Sequence, residues 1–232
     1  LLSMNAPDCL GFDAKTGQKV WSGKVSPQGY AGVCIDGERI YAGVNGSSYG
    51  ACDPATGRNL WNHWMGHQDR QFTCMVRGEK YVYTPGTIAG SVNALDPETG
   101  RRAWQVFTYP EQVAMNNGGE PGYEVFTSPA LAHGRLYLGC NDGVFYTFDA
   151  ETGERGWTTE IGDKIQSSPA VADDVVYFGC WDGKLYALDT DDGEKLWEFQ
   201  TGGRIISSPW PYGDTLYFGS DDGCVYAVSG TE

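Results

Sequence analysis

The chain has 232 residues, of which 41% are hydrophobic and 20% are charged, so it can build a large core and lacks the composition of a disordered protein. The formal net charge is −14, and because nucleic-acid binders need a basic face, we expect no nucleic-acid partner. No apolar run approaches the roughly 18 residues of a membrane helix, so we expect no membrane insertion.

A motif of the form D-x-x-T-G-x-x-x-W recurs five times along the chain, with an aspartate in place of the threonine in the last copy. Successive copies begin 40, 43, 53 and 40 residues apart, and a sixth start follows at residues 225–229. Recurrence at intervals of forty residues or somewhat more indicates a repeat architecture. The copies run from Asp13 to Trp21, Asp53 to Trp61, Asp96 to Trp104, Asp149 to Trp157 and Asp189 to Trp197.

Each part of the motif has a local structural role. The Asp side chain can accept backbone N–H groups two or three residues ahead, and the glycine supplies a positive φ at which a hairpin closes. The tryptophan lies on the following strand and can bury a large surface against the neighbouring repeat. We therefore expect five structural docking tryptophans: Trp21, Trp61, Trp104, Trp157 and Trp197.

Further landmarks predict four strands, A to D, in each repeat. In the best-defined repeat, apolar alternation between D-G turns predicts strands over 168–172, 175–180, 184–189 and 195–200. Four strands in about forty residues, with a docking tryptophan, are typical of a propeller blade. The sequence thus predicts an all-β fold: a β-propeller of four-stranded antiparallel blades, with about five repeats in a single domain over residues 1–232.

Two arrangements of the blades remain open. Residues 14–25 can supply strand D to a last blade at 204–229, which would close a five-bladed ring. Alternatively, the chain is part of a larger propeller, which is favoured by residues 7–13 because they duplicate the pattern of strand C. We expect a monomer unless the ring is completed by another chain.

The repeat also resembles a known family. The motif, with S-P-A, V-Y-F-G-x-x-D-G and L-Y-A-L-D, is similar to the quinoprotein-type (pyrroloquinoline-quinone-like) propeller repeat, most clearly from 128 to 229. The resemblance implies kinship with quinone-dependent dehydrogenases and with non-catalytic members, such as the outer-membrane assembly lipoprotein and sensor domains. It also implies an extracytoplasmic location, periplasmic or secreted.

The residues that a quinone dehydrogenase would need are not recognisable. Such enzymes of the family use a calcium ion, a catalytic aspartate and often two adjacent cysteines, whereas the seven cysteines here include no adjacent pair. Cys140 and Cys180 are expected to be buried free thiols, and His63 with His67 is a weak metal signal. We therefore predict no catalytic residue, no metal site and no cofactor, with pyrroloquinoline quinone (PQQ) and calcium as the alternative.

Three regions depart from the repeat on the face that carries the D-to-A and B-to-C loops, which we term the channel mouth. A long insertion lies between Trp104 and Ser128, a loop follows Trp61, and one variable position leads into each strand A. Function is often placed at such departures. With a tryptophan in one B-to-C turn, they give the candidate ligand or partner contacts: Trp64, Arg70, Tyr109, Tyr123, Glu124, Lys164, Trp181 and Arg204.

Lys164 and Arg204 are equivalent under the 40-residue period, and Glu124 aligns with them. Cations at this position can hold a carboxylate or phosphate. The alternative is that they pair with Glu124 and nearby aspartates. Trp181 stands where neighbouring repeats have Asn or Asp, so it can stack on a sugar or a flat cofactor, or pack on its neighbour.

The sequence therefore favours a non-catalytic binding or scaffold module for a protein or glycan partner. One alternative is a quinone- and calcium-dependent dehydrogenase, or a fragment of one. A second alternative is a ligand-sensing domain of a larger receptor or hydrolase.

Overall fold

The computed structural model describes residues 2–5, 8–23, 32–44, 48–64, 73–86, 90–109 and 123–229. Within these ranges the chain is entirely β, and no helix is long and apolar enough to cross a membrane. The strands are β1 Leu2–Asn5, β2 Asp8–Phe12, β3 Lys19–Gly23, β4 Val33–Ile35, β5 Ile40–Val44, β6 Ser48–Cys52, β7 Asn59–Trp64, β8 Val76–Arg77, β9 Val82–Gly86, β10 Ser91–Leu95, β11 Arg102–Phe107, β12 Ala130–Ala132, β13 Arg135–Gly139, β14 Val144–Asp149, β15 Arg155–Glu160, β16 Ala170–Ala172, β17 Val175–Gly179, β18 Lys184–Asp189, β19 Lys195–Gln200, β20 Trp210–Tyr212, β21 Thr215–Gly219 and β22 Val225–Ser229.

These strands form six antiparallel meanders, numbered here as sheets 1 to 6 in chain order. Sheets 2 to 5 have four strands each, whereas sheet 1 is β1-β2-β3 and sheet 6 is β20-β21-β22. The four-stranded antiparallel blade is therefore confirmed. The chain contributes to six sheets rather than about five, because residues 2–12 form two strands ahead of the first motif.

The strand pairing places residues 19–23 differently from the closed five-bladed arrangement. Strand β3 pairs with β2, with Gly11 opposite Trp21. Within the described ranges, no strand pairs with the other edge of β22. Residues 19–23 thus belong to sheet 1 rather than to the blade at 204–229, and Gly11 of β2 leaves the space that the Trp21 ring occupies.

The short first strands of neighbouring sheets contact one another, β12 with β16 and β16 with β20, which places strand A innermost. The core lies between successive sheets. Between sheets 4 and 5, for example, the rings of Phe145 and Phe178 stack with their centroids 4.3 Å apart. Cys140 and Cys180 lie in these interfaces as buried free thiols, and burial raises the pKa of Cys180 to about 12.

Four of the five motif tryptophans reach the motif turn of the next sheet. Each indole N–H donates to a backbone carbonyl there: Trp21 to Pro54 (2.8 Å), Trp61 to Pro97 (2.8 Å), Trp104 to Glu151 (3.0 Å) and Trp157 to Thr190 (3.0 Å). The rings also cover the motif glycines. A Cβ on Gly153, where φ is +77°, would lie 2.9 Å from the Trp104 ring, so both the backbone conformation and the space require glycine.

The motif aspartate organises the turn that receives the tryptophan. Asp96 accepts the backbone N–H of Glu98 at 3.0 Å and that of Thr99 at 2.8 Å, and the Thr99 hydroxyl donates to it at 2.8 Å. The Thr99 hydroxyl and backbone N–H together hold the pKa of Asp96 below its usual value. The other Asp-x-x-Thr turns repeat this pattern.

These lowered pKa values give the fold an acid dependence. A carboxylate whose pKa is lower in the folded state stabilises that state above its unfolded pKa, near 3.9, and the contribution is lost as pH falls through the folded pKa. We expect the free energy of unfolding to decrease from pH 5 to pH 3, and to decrease less in Thr99→Val. Urea titrations at both pH values measure this, with Thr158→Val as a surface control. An equal decrease in the free energy of unfolding between pH 5 and pH 3 in the wild type and in Thr99→Val would contradict the role of the Thr99 hydroxyl.

Candidate functional site

The residues that lead into strand A meet the B-to-C turn of the same sheet. In sheet 5 the backbone N–H of Trp181 donates to the carbonyl of Lys164 at 3.0 Å. The same bond joins Asp221 to Arg204 at 2.9 Å in sheet 6 and Asn141 to Glu124 at 3.0 Å in sheet 4. The structure therefore gives these three positions the equivalence that the 40-residue period predicts.

Two cations lie against the indole ring of Trp181. The Lys164 ammonium nitrogen is 4.9 Å from the centroid, and the Arg204 guanidinium carbon, from the next sheet, is 4.6 Å from it. Both separations are within the range of a cation–π interaction. We call Lys164, Trp181 and Arg204 the mouth cluster, and it bridges sheets 5 and 6.

The two cations differ in their other partners. Arg204 Nε donates to Asp221 Oδ2 at 2.9 Å, in an ion pair whose side chains are 48% and 42% exposed. Lys164 is exposed, and among the described residues its ammonium group makes no ion pair or hydrogen bond. Aspartate pairing thus occurs for one cation, and the other keeps its donors available.

Polar side chains continue the site onto sheet 4. Asn141 Nδ2 donates to Glu124 Oε2 at 3.3 Å, and Gln166 Nε2, from sheet 5, donates to Asn141 Oδ1 at 3.0 Å. Sequence reasoning missed Gln166, because the equivalent residue of sheet 6 is Ile206 and the period gives no polar signal there.

Trp181 itself is half-buried, and its indole Nε1 is buried with no hydrogen-bond partner within the described ranges. A neutral donor buried in this way costs stability unless an acceptor reaches it. The two cations against the ring keep its π face from being an open platform. Of the two roles predicted for Trp181, packing on neighbours is the one these contacts provide.

The remaining predicted contacts are dispersed. Tyr109 is only 3% exposed, with its ring between Phe107 (5.6 Å) and Tyr123 (5.2 Å), so among the described residues it packs against aromatic neighbours, and its role as a ligand contact stays a prediction. Tyr123 is half-buried, and Trp64 is 58% exposed at the end of β7. Arg70 lies outside the described residues.

The described ranges contain no group of three or more His, Cys, Asp or Glu side chains placed to hold a metal ion. His63 is half-buried, and desolvation lowers its pKa, while His67 lies outside these ranges.

A family profile described as outer membrane protein assembly factor BamB matches residues 8–124 and again 88–232, which together span nearly the whole chain. The chain belongs to the BamB family. This confirms the quinoprotein-type resemblance of the repeat.

Solved structures confirm the propeller fold. BamB from Moraxella catarrhalis superposes with a TM-score of 0.78 at 21% identity, covering 97% of this chain and 68% of that protein. Sqt1 from Saccharomyces cerevisiae gives a TM-score of 0.80 at 11% identity, and the superposition covers 97% of this chain and 66% of the Sqt1 chain. At these identities, the likeness concerns the fold alone.

Curated relatives include the dehydrogenase subunit of the quinone alcohol dehydrogenases from Gluconacetobacter polyoxogenes and Komagataeibacter europaeus. Each is 33% identical to this chain over 140 residues. The match takes in 54% of this chain but only 18% of each dehydrogenase subunit. The chain thus resembles a small part of those enzymes.

Proposed function

We propose that the chain is a non-catalytic binding and scaffold propeller that acts outside the cytoplasm and holds a protein partner at the mouth cluster. Membership of the BamB family, whose name describes an assembly factor, supports a role in protein binding. The observation that carries the proposal is the position of Lys164 and Arg204 against Trp181, 4.9 and 4.6 Å from its centroid.

The chemistry of the cluster favours a carboxylate on the partner. The Lys164 ammonium offers three N–H donors, and the Arg204 guanidinium has donors beyond the Nε that Asp221 engages. Charge-assisted hydrogen bonds from two adjacent cations to one carboxylate are among the stronger polar contacts in proteins. The chain carries 30 acidic and 16 basic side chains, so the two cations of the mouth cluster stand in an acidic background.

A protein partner fits this site better than a glycan. Sugars bind largely by stacking on an open aromatic face, and cations already lie against the face of Trp181. An acidic peptide segment instead uses the cations directly. A partner glutamate or aspartate would sit beside Lys164 and Arg204 and gain from their preorganised positions.

Neutralising the two cations should weaken binding of an acidic probe. We expect a short dye-labelled peptide of alternating glutamate and serine to bind the wild-type chain. The Lys164→Gln/Arg204→Gln variant should bind it about tenfold or more weakly, because each charge-assisted bond contributes about 1.5 kcal/mol or more. Fluorescence anisotropy at low and high salt measures both affinities.

The matched control for that experiment is Arg101→Gln/Arg102→Gln, which removes the same charge from an exposed part of sheet 3. If the two double variants lose affinity equally, only net charge is being sensed and the proposal fails. Unchanged affinity in the mouth variant would also overturn it.

The second candidate is a quinoprotein, because the alcohol dehydrogenase subunits match this chain at 33% identity. Native mass spectrometry with PQQ and calcium separates the two candidates. We expect no stoichiometric mass increase, and an increase that chelation abolishes would favour the quinoprotein.

A further inference from the structure

A cleft of about 880 Å³ opens between sheets 3 and 4, at the ends of the strands that lie away from the mouth cluster. Its walls are the A-to-B turns of the two sheets, residues 77–80 and 131–134, the ring of Tyr83, and the motif turn of sheet 4, residues 149–151. Both sheets have all four strands. The cleft is therefore a property of two complete neighbouring blades.

The sequence beside this cleft departs from the repeat at one position. Strand B of sheets 2, 3 and 4 carries an equivalent tyrosine, whose ring contacts the motif tryptophan of its own sheet: Tyr41, Tyr83 and Tyr137. Two residues before this tyrosine stand Arg39 in sheet 2 and Arg135 in sheet 4, whereas sheet 3 has Tyr81.

The two arginines both reach the motif turn of the following sheet. Arg39 forms an ion pair with Glu98 of sheet 3. Arg135 Nη1 donates to the carbonyls of Thr190 at 3.2 Å and Asp191 at 2.9 Å, in the motif turn of sheet 5. Tyr81 cannot make these bonds, so the interface between sheets 3 and 4 lacks the guanidinium that bridges its two neighbours.

A buried hydroxyl faces the cleft without a partner. Tyr83 is 3% exposed, and its hydroxyl makes no hydrogen bond within the described residues. The equivalent hydroxyls are satisfied, since Tyr41 donates to Asp36 at 2.7 Å and Tyr137 donates to a motif-turn carbonyl at 3.4 Å. Sheet 3 has Gly78 where sheet 2 has Asp36, which removes that acceptor. A buried polar group of this kind costs stability unless an outside partner reaches it.

The motif turn of sheet 4 offers the acceptors that a guanidinium would use. Ala150 is the counterpart of Thr190, and its carbonyl accepts no hydrogen bond in the part of the chain that the structure describes. The exposed carboxylates of Glu151 and Glu79 also line the cleft, and Glu79 forms no ion pair among the described residues. The acceptors thus outnumber the donors that reach them.

The basic side chains that line the cleft are engaged elsewhere. Arg77 Nε pairs with Asp36 of sheet 2 at 3.2 Å, and Lys80 pairs with one oxygen of Glu151 at 2.8 Å. His133 Nε2 lies 3.0 Å from a carbonyl of sheet 5. None of these three groups takes the place of the missing guanidinium.

We infer that this cleft is a second protein-binding site, which accepts an arginine side chain of a protein partner in the place that Arg39 and Arg135 occupy in the neighbouring interfaces. The guanidinium donates to the Ala150 carbonyl, to the Tyr83 hydroxyl oxygen and to Glu151. Its planar array of five N–H donors suits several acceptors at once, and its weak hydration suits a half-enclosed cleft. The inference goes beyond the proposed function, because it concerns the opposite face and a basic partner group.

An arginine tripeptide tests the cleft directly. Acetyl-Gly-Arg-Gly-amide, titrated into the ¹⁵N-labelled full chain, should shift the backbone amide resonances of Gly134 and Ala150 saturably. The citrulline tripeptide should bind about fivefold or more weakly, because it loses the charge-assisted bonds. The lysine tripeptide should also bind more weakly, because an ammonium group lacks the planar fork.

Two pairs of variants locate the binding. Tyr81→Arg supplies the guanidinium from within the chain and should abolish binding, whereas Val175→Arg adds the same charge at the equivalent position of sheet 5 and should bind as wild type does. Glu151→Gln should weaken binding about threefold or more. Its control is Glu154→Gln, which removes the same charge from an exposed residue outside the cleft.

Three results would overturn the inference. One is no saturable shift up to roughly 5 mM peptide, beyond the millimolar end of specific affinity. Another is equal affinity for the arginine peptide and either of its two counterparts. The third is unchanged affinity in Glu151→Gln together with binding by a folded Tyr81→Arg. Lys164→Gln/Arg204→Gln should leave the affinity for the arginine peptide unchanged, so failure at the mouth cluster and failure at this cleft are distinguishable.

Discussion

Replacing Trp61 with alanine is expected to lower the free energy of unfolding by about 3–5 kcal/mol, the usual cost of removing a buried tryptophan. Trp61 is 8% exposed and lies 6.1 Å from Tyr41, and its indole N–H donates to Pro97 in the next sheet at 2.8 Å. The substitution removes that bond, leaves the Pro97 carbonyl without its donor and empties the space over Gly100. Guanidinium titration monitored by circular dichroism measures the loss.

The matched control is Trp197→Ala, at the same motif position. Trp197 is 37% exposed and, within the described residues, its indole N–H reaches no carbonyl of a following turn. We expect this variant to lose about 1–2 kcal/mol, mainly from the contact with Tyr177. Equal losses in the two variants would contradict docking between sheets as the source of the stability.

Gly179→Ala is the second large effect, an expected loss of about 1–3 kcal/mol from overpacking. A Cβ on Gly179 would overlap the side chain of Ile205, in the segment leading into sheet 6, and would lie 2.8 Å from its carbonyl oxygen. Ile205 is fully buried, so neither the Gly179 segment nor the Ile205 segment can move away without opening the interface between sheets 5 and 6. Thermal unfolding and denaturant titration both report the change.

Gly219→Ala is the corresponding control in sheet 6. The nearest atom to its added Cβ is Ser207 Oγ at 3.7 Å, an ordinary van der Waals separation. We expect a change within about 0.5 kcal/mol, as for surface substitutions. A large loss at Gly219 would indicate that strand conformation, rather than contact with the following sheet, fixes glycine at this position.

Much of the fold follows from the sequence because the residues that form the turns between strands are close together in the chain. Strands predicted over 184–189 and 195–200 coincide with β18 and β19, since the motif turn between them is set by an aspartate and a glycine within five residues. The first strand of that blade begins at Ala170, two residues later than predicted. The extra sheet at the N-terminal side was predicted only in part: residues 7–13 repeat the pattern of strand C and contain β2, whereas β1 carries no motif and was not predicted.

The candidate site was predicted less completely. The period placed Lys164 and Arg204 at equivalent positions, but it did not predict that both cations lie against Trp181. That contact depends on how sheets 5 and 6 sit beside each other, which a repeat period does not encode. The packing of Tyr109 between Phe107 and Tyr123 was not predicted for a related reason, because a repeat period does not encode contacts among aromatic residues outside the motif.

A double-mutant cycle between the mouth cluster and a partner carboxylate is the most direct test of the proposed function. The glutamate–serine peptide and its glutamine counterpart are titrated against the wild type and against Lys164→Gln/Arg204→Gln. We predict that glutamate-to-glutamine exchange costs about fivefold or more in Kd with the wild type and less than about twofold with the variant, which is the coupling of groups in contact. Equal costs with both proteins would show that the carboxylates do not touch these cations, and would contradict the account.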